Sequence, residues 1–193
     1  MDSYYKKTIE YNFHKNHFTF DVANTIFSTF DVDVGSQLLL RTVLAKEGDT
    51  LLDIGCGYGV LGIVLSKLFN TSKTTMVDKD LLSLKYARIN AEKNGVINAE
   101  LIGSVGLESV PRYRYDIIVS NIPAKIGDEA IEKEFILKPL EYLSENGTYW
   151  FVVVSALNRL IPLIGIKHNL DLKQVVKKNR YAVYKLRNSK QGS

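Results

Sequence analysis

Short runs of apolar and β-branched residues alternate along this chain with longer runs in which apolar residues recur every three or four positions. The short runs predict buried strands, and the longer runs predict amphipathic helices. Predicted strands cover residues 50–54, 74–77, 99–102, 115–119, 148–154, 172–176 and 182–186. Predicted helices run from the glycines after the first strand to residue 69 and cover residues 81–94, 128–143 and 156–166. Pro139 should kink or split the third helix because proline cannot donate a backbone hydrogen bond.

The alternation of strands and helices predicts an α/β fold with a doubly wound, mostly parallel, seven-stranded sheet that is Rossmann-like. The last two strands, joined by the short connection 177–180, should form a C-terminal antiparallel hairpin. No repeat or linker divides the chain, so residues 1–193 are expected to form one domain. Within it, residues 46–193 should form the core, and residues 1–45 should form a segment that closes over the cofactor pocket.

The composition limits the possible partners. The chain has 25 Lys and Arg against 21 Asp and Glu, a formal net charge of +4, and a single cysteine, Cys56. One cysteine excludes an internal disulfide, and no apolar run is long enough for a signal peptide or a membrane span. We therefore expect a cytoplasmic protein without a membrane partner. His14, His17 and His168 lack acidic or cysteine residues at ligand spacing, which predicts no metal site.

Basic residues gather near the carboxyl end of the chain. They are Lys173, Lys177, Lys178, Arg180, Lys185, Arg187 and Lys190. A mildly basic protein permits an anionic partner but does not require one. The grouping indicates either a contact with nucleic acid or a solvated edge of the sheet.

A glycine-rich turn follows the first core strand directly. Asp53, Gly55, Gly57 and Gly59 form D-x-G-x-G-x-G, and glycine allows positive φ and a close approach of backbone to ligand. Because ligands of open α/β sheets bind at the carboxyl ends of the strands, this turn is the expected cofactor site. Two cofactors compete for it, since Gly57, Gly59 and Gly62 also spell the dinucleotide fingerprint G-x-G-x-x-G.

The charge of Asp53 favours one of these cofactors. A carboxylate about 5 Å from a phosphate repels it by roughly 3 kcal/mol at an effective dielectric constant of 20. S-adenosylmethionine instead carries an ammonium and a sulfonium group, which a carboxylate attracts. We therefore predict S-adenosylmethionine and set the nicotinamide oxidoreductase aside. The backbone amide of Cys56 is expected to face the ligand, and its thiol has no activating neighbour.

Polar residues follow the next two strands as well. Asp78 is predicted to accept hydrogen bonds from both ribose hydroxyls of a nucleoside. The alternative is a helix cap, but Asp80 is better placed to cap the helix that begins near residue 81. Lys79, next to Asp78, and Ser104, where the adenine end should lie, belong to the same predicted set.

Three segments carry a family resemblance. They are Ile26, Phe27 and Ser28 followed by residues 33–40, the glycine loop of residues 51–59, and D-I-I-V-S-N-I-P at residues 116–123. Together they resemble class I methyltransferases, and more closely the methyltransferase small domain of ribosomal RNA guanine-N2 methyltransferases, over about residues 18–187. The resemblance implies S-adenosylmethionine as cofactor and adds Gly35 to the residues expected to bind it. It also implies a compact form without the additional N-terminal domain of many ribosomal members.

Asn121, Ile122 and Pro123 are the predicted catalytic residues. The Asn121 side-chain carbonyl and the Ile122 backbone carbonyl can each accept a hydrogen bond from an amino group, and Pro123 stiffens the loop. The family pattern N-P-P-F/Y has proline at the position of Ile122 and an aromatic residue at that of Ala124. Stacking on a planar substrate would then have to come from elsewhere, and the candidates are Tyr4, Tyr5, Tyr11 and Phe18. Lys125 is placed to meet a phosphate or solvent.

The leading hypothesis is therefore N-methylation of a nucleobase in RNA, with guanine N2 of ribosomal RNA ahead of adenine N6. A protein glutamine amide or a small molecule is the alternative acceptor. A third hypothesis is a non-catalytic module that binds S-adenosylmethionine or RNA. Monomer and dimer both remain open.

Overall fold

The computed structural model describes residues 4–24 and 31–188, and Ile26, Phe27, Ser28 and Lys190 lie outside them. The strands are β1 (Tyr5–Phe13), β2 (Asn16–Ala23), β3 (Thr50–Ile54), β4 (Lys73–Asp78), β5 (Ala99–Gly103), β6 (Tyr115–Asn121), β7 (Leu143–Val154), β8 (Leu172–Lys178) and β9 (Tyr181–Arg187). The helices are α1 (Val34–Leu40), α2 (Val60–Phe69), α3 (Leu81–Lys93), α4 (Asp128–Ala130) and α5 (Leu160–Lys167). No helix among the described residues is long and apolar enough to cross a membrane.

The predicted α/β fold is confirmed. Seven strands form one sheet in the order β5-β4-β3-β6-β7-β9-β8. Strands β3 to β7 pair in parallel, and β9 pairs antiparallel with both β7 and β8, so the C-terminal hairpin is also confirmed. The order of the chain reverses between β3 and β6, so their carboxyl ends border the crevice at which such sheets bind ligands.

Each face of the sheet is covered by its own apolar layer. Along β7, Trp150 and Val152 pack toward the side of α1, α2 and α3, while Tyr149, Phe151 and Val153 pack toward the side of α5. All five side chains are at most 2% exposed. Full burial of one such side chain contributes about 1.5 to 3 kcal/mol. Two buried faces explain why residues 149–154 of β7 are continuously apolar rather than alternating.

The segment predicted as one helix over residues 128–143 is divided. After α4 the backbone is π-helical over Ile131–Leu137 and 3₁₀-helical over Lys138–Tyr142, and β7 begins at Leu143. Pro139 interrupts the helix because it lacks the N–H group that would bond to the carbonyl four residues earlier. Asn146 and Gly147 lie at an irregularity inside β7, on either side of which Leu143 and Thr148 pair with β6.

A two-stranded hairpin, β1 and β2, precedes the core, although no element was predicted there. Its strands are joined at His14 and Lys15, and His14 takes a φ of 51°. Alternate residues face the core, and they are Ile9, Tyr11, Phe13, Phe18, Phe20 and Val22. The alternation is visible in the sequence, but a hairpin of two strands is stable only when it packs on another element. That element is α3, and the contact depends on tertiary structure.

Asn90 on α3 and Asn94, which caps its C-terminus, act as hydrogen-bonding partners for the edge of β2. Asn90 accepts a bond from the Asp21 amide at 2.7 Å and donates to the Asp21 carbonyl at 3.0 Å, and Asn94 makes the same pair with Thr19 at 3.1 and 2.8 Å. Asn90 also donates to the backbone carbonyl of Tyr58 at 2.9 Å. One buried side chain therefore joins the hairpin to the glycine loop.

Replacement of Asn90 should destabilise the fold substantially. The Asn90→Ala variant would leave three backbone groups without partners, and we expect its free energy of unfolding to fall by about 3 kcal/mol. Urea denaturation measures this change. Asn12→Ala is the matched control, because Asn12 is exposed on the same hairpin and contacts only His17. A loss of less than about 1 kcal/mol in Asn90→Ala would contradict this account.

Candidate active site

The glycine loop is held open by the neighbouring strand. The Val77 carbonyl accepts hydrogen bonds from the amides of Gly55 at 2.8 Å and Cys56 at 3.0 Å. Gly55 and Gly57 have φ values of 70° and 55°, and Gly59 begins α2 with a φ of 95°. A Cβ atom at Gly55 or Gly57 would meet nothing within 4 Å, so the loop borders open space. This is the shape of a cradle in which a ligand lies directly against the backbone.

Asp78 closes one side of this cradle. Its Oδ2 accepts a hydrogen bond from the Gly57 amide at 2.9 Å, and its Oδ1 accepts one from the Asp80 amide at 2.9 Å. The predicted cap by Asp80 is confirmed, since its side chain accepts a bond from the Leu82 amide. Asp78 is therefore free of the capping role and half-buried at the carboxyl end of β4. Each of its oxygens retains a lone pair for a ribose hydroxyl.

Lys79 and Ser104, the other two residues predicted around the nucleoside, both lie next to Asp78, one in sequence and one in space. Lys79 is exposed. The Ser104 amide donates to the Asp78 carbonyl at 3.0 Å, which places Ser104 beside the end of β4. Its hydroxyl is buried and accepts a hydrogen bond from the Ser109 amide at 2.9 Å. Cys56 is also buried, and burial raises the pKa of its thiol, which is therefore uncharged at neutral pH.

Asp53 lies beneath the loop rather than on its open side. The side chain is 0% exposed, and its Oδ2 accepts a hydrogen bond from the Gly62 amide at 2.8 Å. Its Oδ1 has no hydrogen-bond partner among the described residues. Burial is the main cause that raises the pKa of this carboxyl to about 7, and the nearby charge of Asp78 adds to it. At neutral pH this carboxyl is therefore only partly ionised, so a full charge on Asp53 does not select the cofactor.

Gly62, the third glycine of the dinucleotide-like pattern, has a packing role. A Cβ atom there would lie 2.7 Å from the Met76 sulfur and 3.2 Å from Asp53 Oδ2. Only glycine allows α2 to lie this close to β3 and β4. The third glycine of the dinucleotide fingerprint has the same packing role, so Gly62 does not discriminate between the two cofactors.

Asn121, at the end of β6, is held from the other side of the crevice. Its Nδ2 donates to Asp33 Oδ2 at 2.8 Å and to Ser36 Oγ at 3.0 Å. Its Oδ1 accepts no hydrogen bond from the described residues. The Ser120 hydroxyl donates to the Ile54 carbonyl at 2.8 Å, which joins β6 to the start of the glycine loop.

The residues after Asn121 leave the sheet. The Ile122 amide donates to the Val152 carbonyl at 3.0 Å, and the Ile122 side chain is buried. Pro123, Ala124 and Lys125 are exposed. The Ile122 side chain anchors the loop in the core, and its amide anchors the loop to β7. A proline at this position would lose the second contact because it has no N–H group.

Asp33 and Tyr181 lie beside Asn121, although the sequence analysis gave neither of them a role in the site. Asp33 caps α1 through the Ser36 amide at 3.1 Å, and the Tyr181 hydroxyl donates to Asp33 Oδ1 at 3.3 Å. Gly35 packs between them, because a Cβ atom there would lie 2.9 Å from both Asp33 Oδ2 and the Tyr181 ring. The only local signal was the pattern D-x-x-S at residues 33–36, which is typical of a helix start.

The candidates for stacking on a substrate divide into two groups. Tyr11 and Phe18 are buried in the hairpin core, whereas Tyr4 and Tyr5 are 54% and 41% exposed. Phe18 packs parallel to Phe20, with ring centroids 6.3 Å apart. Of the four, only Tyr4 and Tyr5 have an exposed ring. Closure of residues 1–45 over the pocket stays a prediction.

The sheet order, the glycine cradle after β3 and the acidic residue at the end of β4 fit an S-adenosylmethionine-dependent methyltransferase. Residues 17–185 match the family model of the methyltransferase small domain, and the chain belongs to this family. An uncharacterised protein of Bacillus subtilis, YbxB, is 28% identical over 177 residues, which cover 91% of this chain and 88% of that protein.

Two further relatives are named for ribosomal RNA. Ribosomal RNA small subunit methyltransferase C of Pseudomonas aeruginosa is 32% identical over 167 residues, which cover 85% of this chain and 49% of that protein. The structure of the T. thermophilus 16S rRNA N2 methyltransferase with AdoMet and guanosine has a TM-score of 0.83 at 24% identity, over 96% of this chain and 51% of that one. The chain spans about half the length of these two relatives.

The residues of the cradle fit the cofactor of this family, S-adenosylmethionine. Gly55 and Gly57 leave open space against the backbone, where a side chain would otherwise stand. Asp78 supplies a carboxylate for the ribose hydroxyls at the edge of that space, and its charge also suits a cationic ligand. Among the described residues, no three His, Cys, Asp or Glu side chains lie together as metal ligands.

The buried carboxyl of Asp53 should make stability depend on pH. Its pKa is higher in the folded chain, about 7, than the ordinary value of 3.8, so the folded state binds this proton more tightly. Its contribution to stability is therefore present at acidic pH and lost as the pH rises toward 7. Between pH 5 and pH 8 the loss should be on the order of 2 kcal/mol.

The Asp53→Asn variant isolates this effect, because an amide oxygen still accepts the Gly62 hydrogen bond but cannot ionise. We expect its free energy of unfolding, relative to that of the natural chain, to improve when urea denaturation is repeated at pH 8 instead of pH 5. Parallel pH profiles for the two proteins would show that Asp53 is ionised in the fold at both pH values.

Proposed function

We propose that this chain transfers a methyl group from S-adenosylmethionine to the exocyclic N2 amine of a guanine in ribosomal RNA. The observation that carries the proposal is the state of Asn121, whose two amide hydrogens are directed to Asp33 and Ser36 while its carbonyl oxygen has no donor among the described residues. An amine of a nucleobase is such a donor. The names of the relatives, which concern ribosomal RNA, support the choice of substrate.

The reaction depends on the placement of the amine nitrogen more than on an acid or a base. Hydrogen bonds from the amine to Asn121 Oδ1 and to the Ile122 carbonyl would orient the nitrogen lone pair away from both acceptors. Correct placement of two reacting atoms contributes several kcal/mol to a rate because it removes an entropic barrier. The Ile122 side chain, buried in the core, keeps its own carbonyl in place.

When bound, S-adenosylmethionine supplies an electrophilic methyl carbon whose bonding electron pair leaves with the sulfur. The amine nitrogen uses its lone pair for the new N–C bond and becomes positively charged. Asn121 Oδ1 and the Ile122 carbonyl stabilise that charge as fixed dipoles. Neither group is basic enough to keep a proton, so the surplus proton of the nitrogen passes to water.

The charge distribution of the C-terminal hairpin supports RNA as the substrate. The turn between β8 and β9 carries Lys177, Lys178 and Arg180, all exposed. Tyr181, the next residue, bonds to Asp33, so these cations border the candidate active site. A row of cations beside the site fits a phosphate backbone better than it fits a glutamine side chain of a protein. The localisation that this function implies is the cytoplasm.

Transfer of a labelled methyl group tests the proposal directly. With tritiated S-adenosylmethionine, total RNA and total protein of a strain that lacks this gene, label should enter the RNA and appear as a guanine methylated at N2 after digestion to nucleosides. The Asn121→Ala variant should lose about 100- to 1,000-fold in kcat, because one preorganised dipole is removed. Calorimetry should give an unchanged Kd for S-adenosylmethionine.

Each other outcome excludes part of the proposal. Label in protein would replace the substrate class with a glutamine amide, and label in adenine would change the base. Binding of the cofactor without any transfer would identify a non-catalytic module. Full activity in Asn121→Ala would remove Asn121 from the mechanism. Asp128→Asn is the matched control, since it changes an exposed residue on the segment that follows β6.

Neutral replacements on the hairpin test the contact with RNA. Lys177→Gln together with Lys178→Gln should raise the KM for RNA and leave activity on free guanosine unchanged. The slope of log Kd for RNA against log salt concentration should fall by about 1 for each phosphate contact removed. Lys46→Gln is the control, because Lys46 is exposed at the opposite edge of the sheet. Identical salt dependence in all proteins would show that this edge is only solvated.

A further inference from the structure

We propose that Asp33 is a positioning residue for catalysis, which holds the Asn121 amide with its carbonyl oxygen toward the substrate and makes that oxygen a stronger acceptor. The inference rests on the proposed function. It assigns a role to a residue 88 positions away from Asn121 in the chain. The contact that carries it is the 2.8 Å hydrogen bond from Asn121 Nδ2 to Asp33 Oδ2.

The identity of the partner decides which way the amide faces. An amide group can rotate by half a turn and exchange its nitrogen and oxygen, and the two ends look alike in size. A carboxylate only accepts hydrogen bonds, so Asp33 attracts Nδ2 and repels Oδ1. The Ser36 hydroxyl accepts from the same nitrogen at 3.0 Å. With both N–H groups engaged, Oδ1 is left for the substrate.

Two hydrogen bonds fix the Asp33 carboxylate besides the one from Asn121. The Ser36 amide donates to its Oδ2 at 3.1 Å, and the Tyr181 hydroxyl donates to its Oδ1 at 3.3 Å. Tyr181 is only 7% exposed and lies at the start of β9, where it pairs with Val154. Gly35 leaves room for both side chains. The carboxylate therefore joins α1, β6 and β9 at the carboxyl edge of the sheet.

The negative charge adds an electronic effect to the geometric one. A hydrogen bond to an ionised acceptor is stronger than a neutral bond, and bonds in a chain polarise one another. The bond from Asn121 to Asp33 shifts electron density in the amide toward Oδ1. Oδ1 then stabilises the positive charge that develops on the substrate nitrogen more effectively than an amide without this partner would.

The Asp33→Ser variant separates this role from the capping of α1. Serine is as good a helix cap as aspartate, but its side chain is too short to reach Asn121. We expect kcat for RNA to fall about 10- to 100-fold, in line with the effect of misplacing a catalytic group. The KM for S-adenosylmethionine and the Tm should change little. Asp49→Ser is the matched control, because the Asp49 side chain accepts a backbone hydrogen bond from the Lys46 amide just before β3, away from Asn121.

A double-mutant cycle shows whether Asp33 acts through Asn121. If it does, adding Asp33→Ser to Asn121→Ala should cause no further loss of kcat, because the group that Asp33 positions is already gone. Additive losses would overturn the inference.

A spectroscopic measurement keeps the inference testable without any turnover. The side-chain amide resonances of Asn121 are identified by their absence from the Asn121→Ala spectrum. In the natural chain they should exchange slowly with water, and in Asp33→Ser they should shift and exchange faster. Unchanged resonances would refute the contact itself. Normal kcat in Asp33→Ser beside an inactive Asn121→Ala would refute only the role of Asp33, whereas an active Asn121→Ala or a lack of transfer to RNA would refute the proposed function.

Discussion

The site depends first on the way strand β4 holds the loop that follows β3. The Val77 carbonyl accepts two amides of this loop, and the Asp78 carboxylate accepts a third, from Gly57. These bonds replace the ladder that ends with the strand, so the loop keeps a defined shape without a ligand. The same carboxylate faces the open side of the cradle. Structural support and the proposed recognition of the ribose are therefore combined in Asp78.

Two buried side chains, Asn90 on α3 and Asp53 on β3, also hold the glycine loop and the start of α2 in place. On one side, Asn90 binds both the edge of the N-terminal hairpin and the Tyr58 carbonyl of the loop. Underneath, Asp53 binds the Gly62 amide in a fully buried position. Buried polar groups that are satisfied by hydrogen bonds specify one arrangement, because every alternative would leave them unpaired.

The catalytic side of the crevice is assembled from distant parts of the chain. Asn121 ends a central strand, Asp33 caps a helix before the core, and Tyr181 begins the last strand. A hydrogen bond between Tyr181 and Asp33, which are 148 positions apart in the chain, links these three residues. The antiparallel strand β9 has two functions as a result, since it extends the sheet and fixes the residue that orients Asn121.

The sequence by itself determined the α/β class, the strands of the sheet, the glycine loop and the family, because these depend on local periodicity and on motifs of a few residues. It also placed Asn121 and Asp78 at strand ends. The hairpin of β1 and β2 was missed because its stability comes from α3, and the helix over residues 128–143 was wrong in its detail because Pro139 divides it. Only the tertiary structure decided that Asp53 is buried with a raised pKa and that Asp33 and Tyr181 face Asn121. Burial and long-range contacts are set by packing between elements, which no short stretch of sequence contains.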